Sequence, residues 1–161
     1  MDSATQNLQM SWLSHHMMMW QVLPWEGRVV SAVSRLLGSA GQGIEVQYDQ
    51  LFFQPSRVGE GTAFHTDNAY FKLKDPRAGV AMWIAADDST VENGTLHVAP
   101  WHPGKAEPTH GHDRKQHGHE LEISARGAAA SLLAEASACT LPAGGVAFFC
   151  YGVPLASRAV L

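Results

Sequence analysis

Phe64-His65-Thr66-Asp67-Asn68-Ala69-Tyr70-Phe71 follows a glycine-rich turn, Gly59-Glu60-Gly61, and carries an imidazole and a carboxylate two positions apart. In an extended segment alternate side chains point to one side, so His65 and Asp67 converge and can bind one cation on a sheet rim. A bare H-x-D pair is a weak signal. Its setting between a tight turn and the aromatic pair Tyr70-Phe71 strengthens it. An imidazole and a carboxylate are two members of the 2-His-1-carboxylate set, which leaves three positions of an octahedral Fe(II) open for a bidentate cosubstrate and dioxygen. The third ligand has to come from a distant strand.

Upstream, Ile44, Val46 and Tyr48 alternate with Glu45, Gln47 and Asp49 before Leu51-Phe52-Phe53 runs into Pro55, which predicts a strand entering a core. Trp12, Leu13, His16, Met17 and Trp20 fall at helical spacing, predicting an amphipathic helix that stops before Pro24. Arg28 to Leu37 sets Val29, Val30, Val33, Leu36 and Leu37 on one face and closes at Gly38, a helix with a C-terminal glycine. Downstream, Val80 to Ala86, Thr95 to Ala99 and Gly145 to Tyr151 read as strands, with Asn93-Gly94 as a hairpin turn into the second of them. Ala128 to Ala138 reads as a short helix or a loop. Helices first and antiparallel strands after is the order of an α+β or jelly-roll domain. The segment from Trp101 to Glu120, with His102, His110, His112, His117 and His119, reads as an insertion over one face.

Composition bounds the rest. A chain of 161 residues with 45% apolar and 16% charged residues is one globular domain, residues 1–161, with a helical part to about 42 and a β core from about 43. The formal charge is −4, and no Lys/Arg cluster supplies the footprint of a nucleic-acid binder. No apolar run approaches the ~18 residues of a membrane span, and Met1-Asp2-Ser3-Ala4 lacks a basic leader, so the expectation is a cytoplasmic protein with no membrane partner. Cys139 and Cys150 are expected to be reduced, inert thiols.

Phe64 to Phe71, Trp83, and Val91-Glu92-Asn93-Gly94-Thr95-Leu96-His97-Val98-Ala99-Pro100 together resemble the phytanoyl-CoA dioxygenase (PhyH) family of Fe(II)- and 2-oxoglutarate-dependent oxygenases. The resemblance covers roughly Ile44 to Ser157. It implies a mainly β fold, a double-stranded β-helix (jelly roll, cupin-like) with N-terminal helices. It implies a small-molecule substrate hydroxylated at a C–H bond, with 2-oxoglutarate as cosubstrate and ascorbate as an accessory reductant. His65 and Asp67 are then the iron ligands and catalytic pair. Gln50, Thr66, Trp83 and Ser157 would lie at the cosubstrate, and Asn68 and Tyr70 on the substrate side.

At the C-terminal end, Ala143 to Pro154 resembles the strand and turn leading to the family's second iron-binding histidine, but Leu155 stands at that position. The family's cosubstrate-binding arginine and last core strand would fall beyond Leu161, so the β core is expected to be incomplete. Two alternatives follow: a catalytically inactive PhyH-like fragment, or a cupin-like metal-binding protein using His110/His112 and His117/His119. On its strand, His97 is expected to face outward, and His102 is the remaining candidate for a third ligand.

Overall fold

Residues 8–39, 42–55, 59, 61–102, 108–112, 121–124 and 128–157 are described by the structure, a computed structural model. Strand β1 (Leu8–Ser11) pairs antiparallel with β2 (Gln50–Phe53), with Leu8 opposite Phe53 and Ser11 opposite Gln50. The expected helix over Trp12 to Trp20 is broken into a left-handed Trp12 (φ 59°), a 3-10 turn at Leu13–His15 and a short α1 (Met18–Val22). Tertiary anchoring overrides helical spacing here. The Trp12 N–H donates to the Asp49 carbonyl at 2.8 Å, and both the N–H and the hydroxyl of Ser14 donate to the Asp49 carboxylate. The same bonds explain why 44–49 is not the expected strand. Among the described residues β1 offers partners only to Gln50–Phe53, and Asp49 is committed to the turn.

Helix α2 (Gly27–Leu37) is where the sequence puts it. The Glu26 carboxylate accepts from the Arg28 and Val29 N–H groups, and Gly38 takes the left-handed conformation (φ 63°) that ends the helix without a Cβ clash. No helix among the described residues is long and apolar enough to cross a membrane.

The β core is a long hairpin wound on itself. β3 (Val80–Ile84) pairs with β8 (Val146–Cys150), β4 (Leu96–Val98) with β7 (Ser137–Ala138), and β5 (His110–His112) with β6 (Leu121–Ile123), all antiparallel. Such nested pairing is the connectivity of a jelly roll. Among the described residues the ladders do not close into a barrel. Helix α4 (Ala128–Glu135) fills the stretch left open between helix and loop, and β9 (Leu155–Ser157) adds to the free edge of β4.

Residues 62–65 lie between β9 and β6. His65 exchanges both backbone bonds with Leu155 (3.0 and 2.9 Å), Ser157 N–H donates to the Thr62 carbonyl, and Ile123 N–H donates to the Phe64 carbonyl at 2.8 Å. The strand order therefore runs β7, β4, β9, 62–65, β6, β5. Phe64, Ala99, Ile123 and Ala156 form the buried cluster at its centre, with Leu132 and Ala136 of the α4 region against it. His97, expected to face outward, is instead 7% exposed, its Nδ1 bonded to the Thr95 carbonyl at 3.2 Å. An imidazole with a partner for one ring nitrogen is amphipathic enough to sit in this face.

Candidate metal and cosubstrate site

His65 is the last residue of the 62–65 ladder; two residues on, Asp67 already has helical dihedrals (φ −59°, ψ −31°) and starts α3 (Asn68–Phe71). The segment is thus not extended throughout, as alternation alone predicts, but the turn still brings the two side chains together. His65 Nδ1 lies 2.9 Å from the Ala63 carbonyl, which can only accept. Nδ1 therefore carries the proton and Nε2 keeps its lone pair. That Nε2 stands 3.9 Å from Asp67 Oδ1, with the side chains 12% and 20% exposed.

This is not a hydrogen-bonded ion pair: the separation is too long, and burial works against both charges. Burial pushes the Asp67 carboxyl up to about 6 and, against the opposing effect of the Ala63 bond, holds the His65 imidazole below its ordinary value. At neutral pH the pair is a neutral imidazole beside a carboxylate, the ionisation state that ligates a divalent cation. Two ligands each about 2.1 Å from one ion stand no more than about 4.2 Å apart, and about 3.0 Å apart at right angles. The observed separation is within reach of a shared ion.

The third corner does not follow. Leu155 is directly opposite His65 in a hydrogen-bonded antiparallel pair, so its side chain shares the His65 face; it is 6% exposed. Among the described residues no His, Cys, Asp or Glu joins His65 and Asp67 in a group of three. His102 is exposed at the end of the described segment, and His117 and His119 lie outside the described residues. The donor set fits Fe(II) at two corners and presents hydrocarbon at the third.

The other expected site residues divide. Tyr70 sets its ring edge-on to His65 (centroids 5.8 Å apart, 85°) and its hydroxyl accepts from the Leu121 N–H at 2.8 Å. Trp83 is half-buried on β3 opposite Ala147; in the same register Tyr151 continues the ladder against Gly79, so Trp83 and Tyr151 share a face. A Cβ on Gly79 would come within 2.2 Å of the Tyr151 ring, so only glycine admits that approach. Tyr151 stacks on Phe71 at 4.6 Å, its phenol pushed up by burial and then by the Asp67 charge. Sequence reading passed over Tyr151, because an aromatic ending an apolar strand is usually core.

Thr66 is fully buried, its N–H donating to His110 Nε2 at 3.1 Å. The Ser157 hydroxyl accepts from the Thr62 N–H at 2.9 Å and so fastens β9 to 62–65. Gln50 is exposed on β2, its amide oxygen accepting from Gln9 on β1. Asn68 is buried, its amide donating to the Leu73 carbonyl (3.1 Å) and accepting from the Leu73 N–H (2.9 Å). Asn68→Ala leaves two backbone groups without these partners and is expected to destabilise the chain by about 2–3 kcal/mol in urea unfolding.

A buried imidazole–carboxylate pair where a jelly-roll strand turns into a helix places the chain among the cupin-type jelly-roll proteins. Within that class it belongs to the phytanoyl-CoA dioxygenase (PhyH) family, whose profile matches residues 5–159. EvdO2 from Micromonospora carbonacea var. aurantiaca superposes with a TM-score of 0.70 at 25% identity, over 96% of this chain and 61% of that one. Its complex with 2-oxoglutarate matches equally. EctD from S. alaskensis, solved with 2-oxoglutarate and 5-hydroxyectoine, shares the fold (TM-score 0.72, 18% identity) over 95% of this chain and 51% of that one. The chain thus spans about three fifths of EvdO2 and half of EctD. No curated protein matches it.

Proposed function

We propose that this chain carries the site of an Fe(II)- and 2-oxoglutarate-dependent oxygenase that hydroxylates a C–H bond of a small molecule. The observation that supports this most is the buried His65–Asp67 pair, 3.9 Å apart with the imidazole lone pair directed by the Ala63 bond, in a chain of the PhyH family. His65 Nε2 and Asp67 Oδ1 would hold the iron, which with 2-oxoglutarate supplies the oxidising power when bound. Burial of the pair excludes water and strengthens each electrostatic contact. Tyr70 would border the substrate and Trp83 the cosubstrate. Thr66 and Ser157, which also tie 62–66 to β5 and β9, and Gln50 would lie toward the cosubstrate. Ascorbate is proposed as the reductant that keeps the iron ferrous.

The test is succinate release from 2-oxoglutarate with Fe(II), with and without ascorbate. Release by the full chain and its loss in His65→Ala is the expected result; no release above background from soluble, folded protein would overturn the proposal. Leu155 favours one second reading, an inactive member of the family that keeps the fold and binds without turnover. Such a protein would retain 2-oxoglutarate binding in calorimetry while releasing no succinate.

A further inference from the structure

The ladder that delivers His65 ends where the chain turns into α3, and backbone groups there lose their strand partners. On one side of 62–65, His65 still pairs with Leu155. On the other, Ile123 N–H reaches the Phe64 carbonyl, and the next two donors are met by side chains. Thr66 N–H donates to His110 Nε2 at 3.1 Å, with the Thr66 hydroxyl 3.5 Å from the same nitrogen. Leu121 N–H donates to the Tyr70 hydroxyl at 2.8 Å. The two clasps are reciprocal: the β5–β6 hairpin holds the backbone between the two candidate ligands, and α3 holds the backbone of the hairpin.

We propose that His110 is a positioning residue for the cation site, fixing the His65–Thr66 peptide through the Thr66 N–H and so setting the separation of the His65 and Asp67 side chains. This deepens the metal-site reading above and rests on it. Thr66 is fully buried, and its amide can only donate, so His110 accepts through an unprotonated Nε2. Without that acceptor, a buried N–H is left to find another partner. The peptide can do so only by rotating, which turns Asp67 relative to His65, because one lies on each side of the peptide pair that Thr66 joins. His110 is not itself a third corner, since it approaches from the Thr66 hydroxyl side and forms no group of three with the pair.

Outer partners of metal ligands typically change metal affinity by about 10–100-fold when removed. The experiment is a Co(II) titration of the full chain, in wild type and in Leu155→His, each with His110→Ala and His110→Gln, together with hydrogen exchange of the Thr66 amide by NMR. Glutamine places its amide oxygen near the position of Nε2 and can accept the same bond. Expected is about 10–100-fold weaker Co(II) binding and faster Thr66 exchange in His110→Ala, with both restored within about threefold in His110→Gln. Unchanged affinity in His110→Ala, whether or not Thr66 exchange rises, overturns the positioning role while the metal site stands. No Co(II) binding in either background overturns the metal-site reading itself. A His110→Gln variant that folds but fails to restore affinity also sinks the proposal.

Discussion

Leu155→His is expected to tighten Co(II) or Fe(II) binding by at least about 100-fold, more than the loss of a group hydrogen-bonded to a metal ligand commonly changes it, because it adds a ligand outright. The geometry argues this without any rearrangement. Leu155 and His65 exchange both backbone bonds, at 3.0 and 2.9 Å, so they are a directly opposed pair. In such a pair the Cβ atoms are about 4.5–5.5 Å apart and point to the same face. An imidazole grown from position 155 therefore stands on the same face as that of His65, whose Nε2 lies 3.9 Å from Asp67 Oδ1. Leucine has no lone pair, so wild type relies on two protein ligands. The cost falls on the metal-free fold, where replacing a buried leucine by a polar ring loses about 1–3 kcal/mol. Thermal unfolding should show both effects: Leu155→His melts below wild type without metal and gains more from added Co(II). A variant that is folded yet binds Co(II) no more tightly than wild type would mean that the His65 face is closed to an ion.

How much of this was legible in the sequence depends on which interactions decide each element. Helix α2 was, because its apolar stripe, the following Gly38 and the basic last turn are all local signals. The strands at Val80, Leu96 and Val146 were, because each is an apolar run between turn residues. The stretches from Trp12 to Trp20 and from Ile44 to Asp49 were not. There, Asp49 reaches back across more than thirty positions to Trp12 and Ser14, and neither helical spacing nor alternation records a bond of that range.

The site shows the same division. His65, Asp67 and Leu155 could be picked out from pattern and resemblance as the proposed ligand positions, since such positions recur at fixed places along strands. That Leu155 lies directly opposite His65 is a matter of register, which only the fold reveals. The bonds of Asn68 could not be read from the sequence, because nothing local marks a polar side chain as tied to a backbone five positions on. Its amide closes the loop to Leu73. His110 carried no readable role at all, because a His-rich polar segment gives no hint of which imidazole turns inward to meet a buried amide.

Asp67→Asn is expected to stabilise the metal-free chain by about 2 kcal/mol at pH 8, raising its melting temperature by roughly 4–8 °C. Burial lifts the Asp67 carboxyl from 3.8 to about 6 on folding, so the folded chain holds that proton more tightly than the unfolded chain. Stability from this group is complete below about pH 3.8 and is lost as the pH rises through about 6. The shift corresponds to about 3 kcal/mol at neutral pH, which the remaining exposure of the side chain reduces. His65 acts in the opposite sense: with its folded value depressed, its neutral form is favoured, and its contribution fades as the pH falls below the ordinary histidine range. The two therefore oppose each other on acidification of wild type. Subtracting the wild-type stability curve from that of Asp67→Asn isolates the carboxylate, and the difference should vanish near pH 4. Saturating Co(II) should reverse the order at pH 8, because the ion stabilises a chain that offers it a carboxylate and hardly one that offers an amide. A residue that weakens its own fold when empty and strengthens it when loaded is one kept for what it binds. Equal or lower stability of Asp67→Asn at pH 8 without metal would show that the carboxylate is satisfied within the fold and is not held ready for a cation.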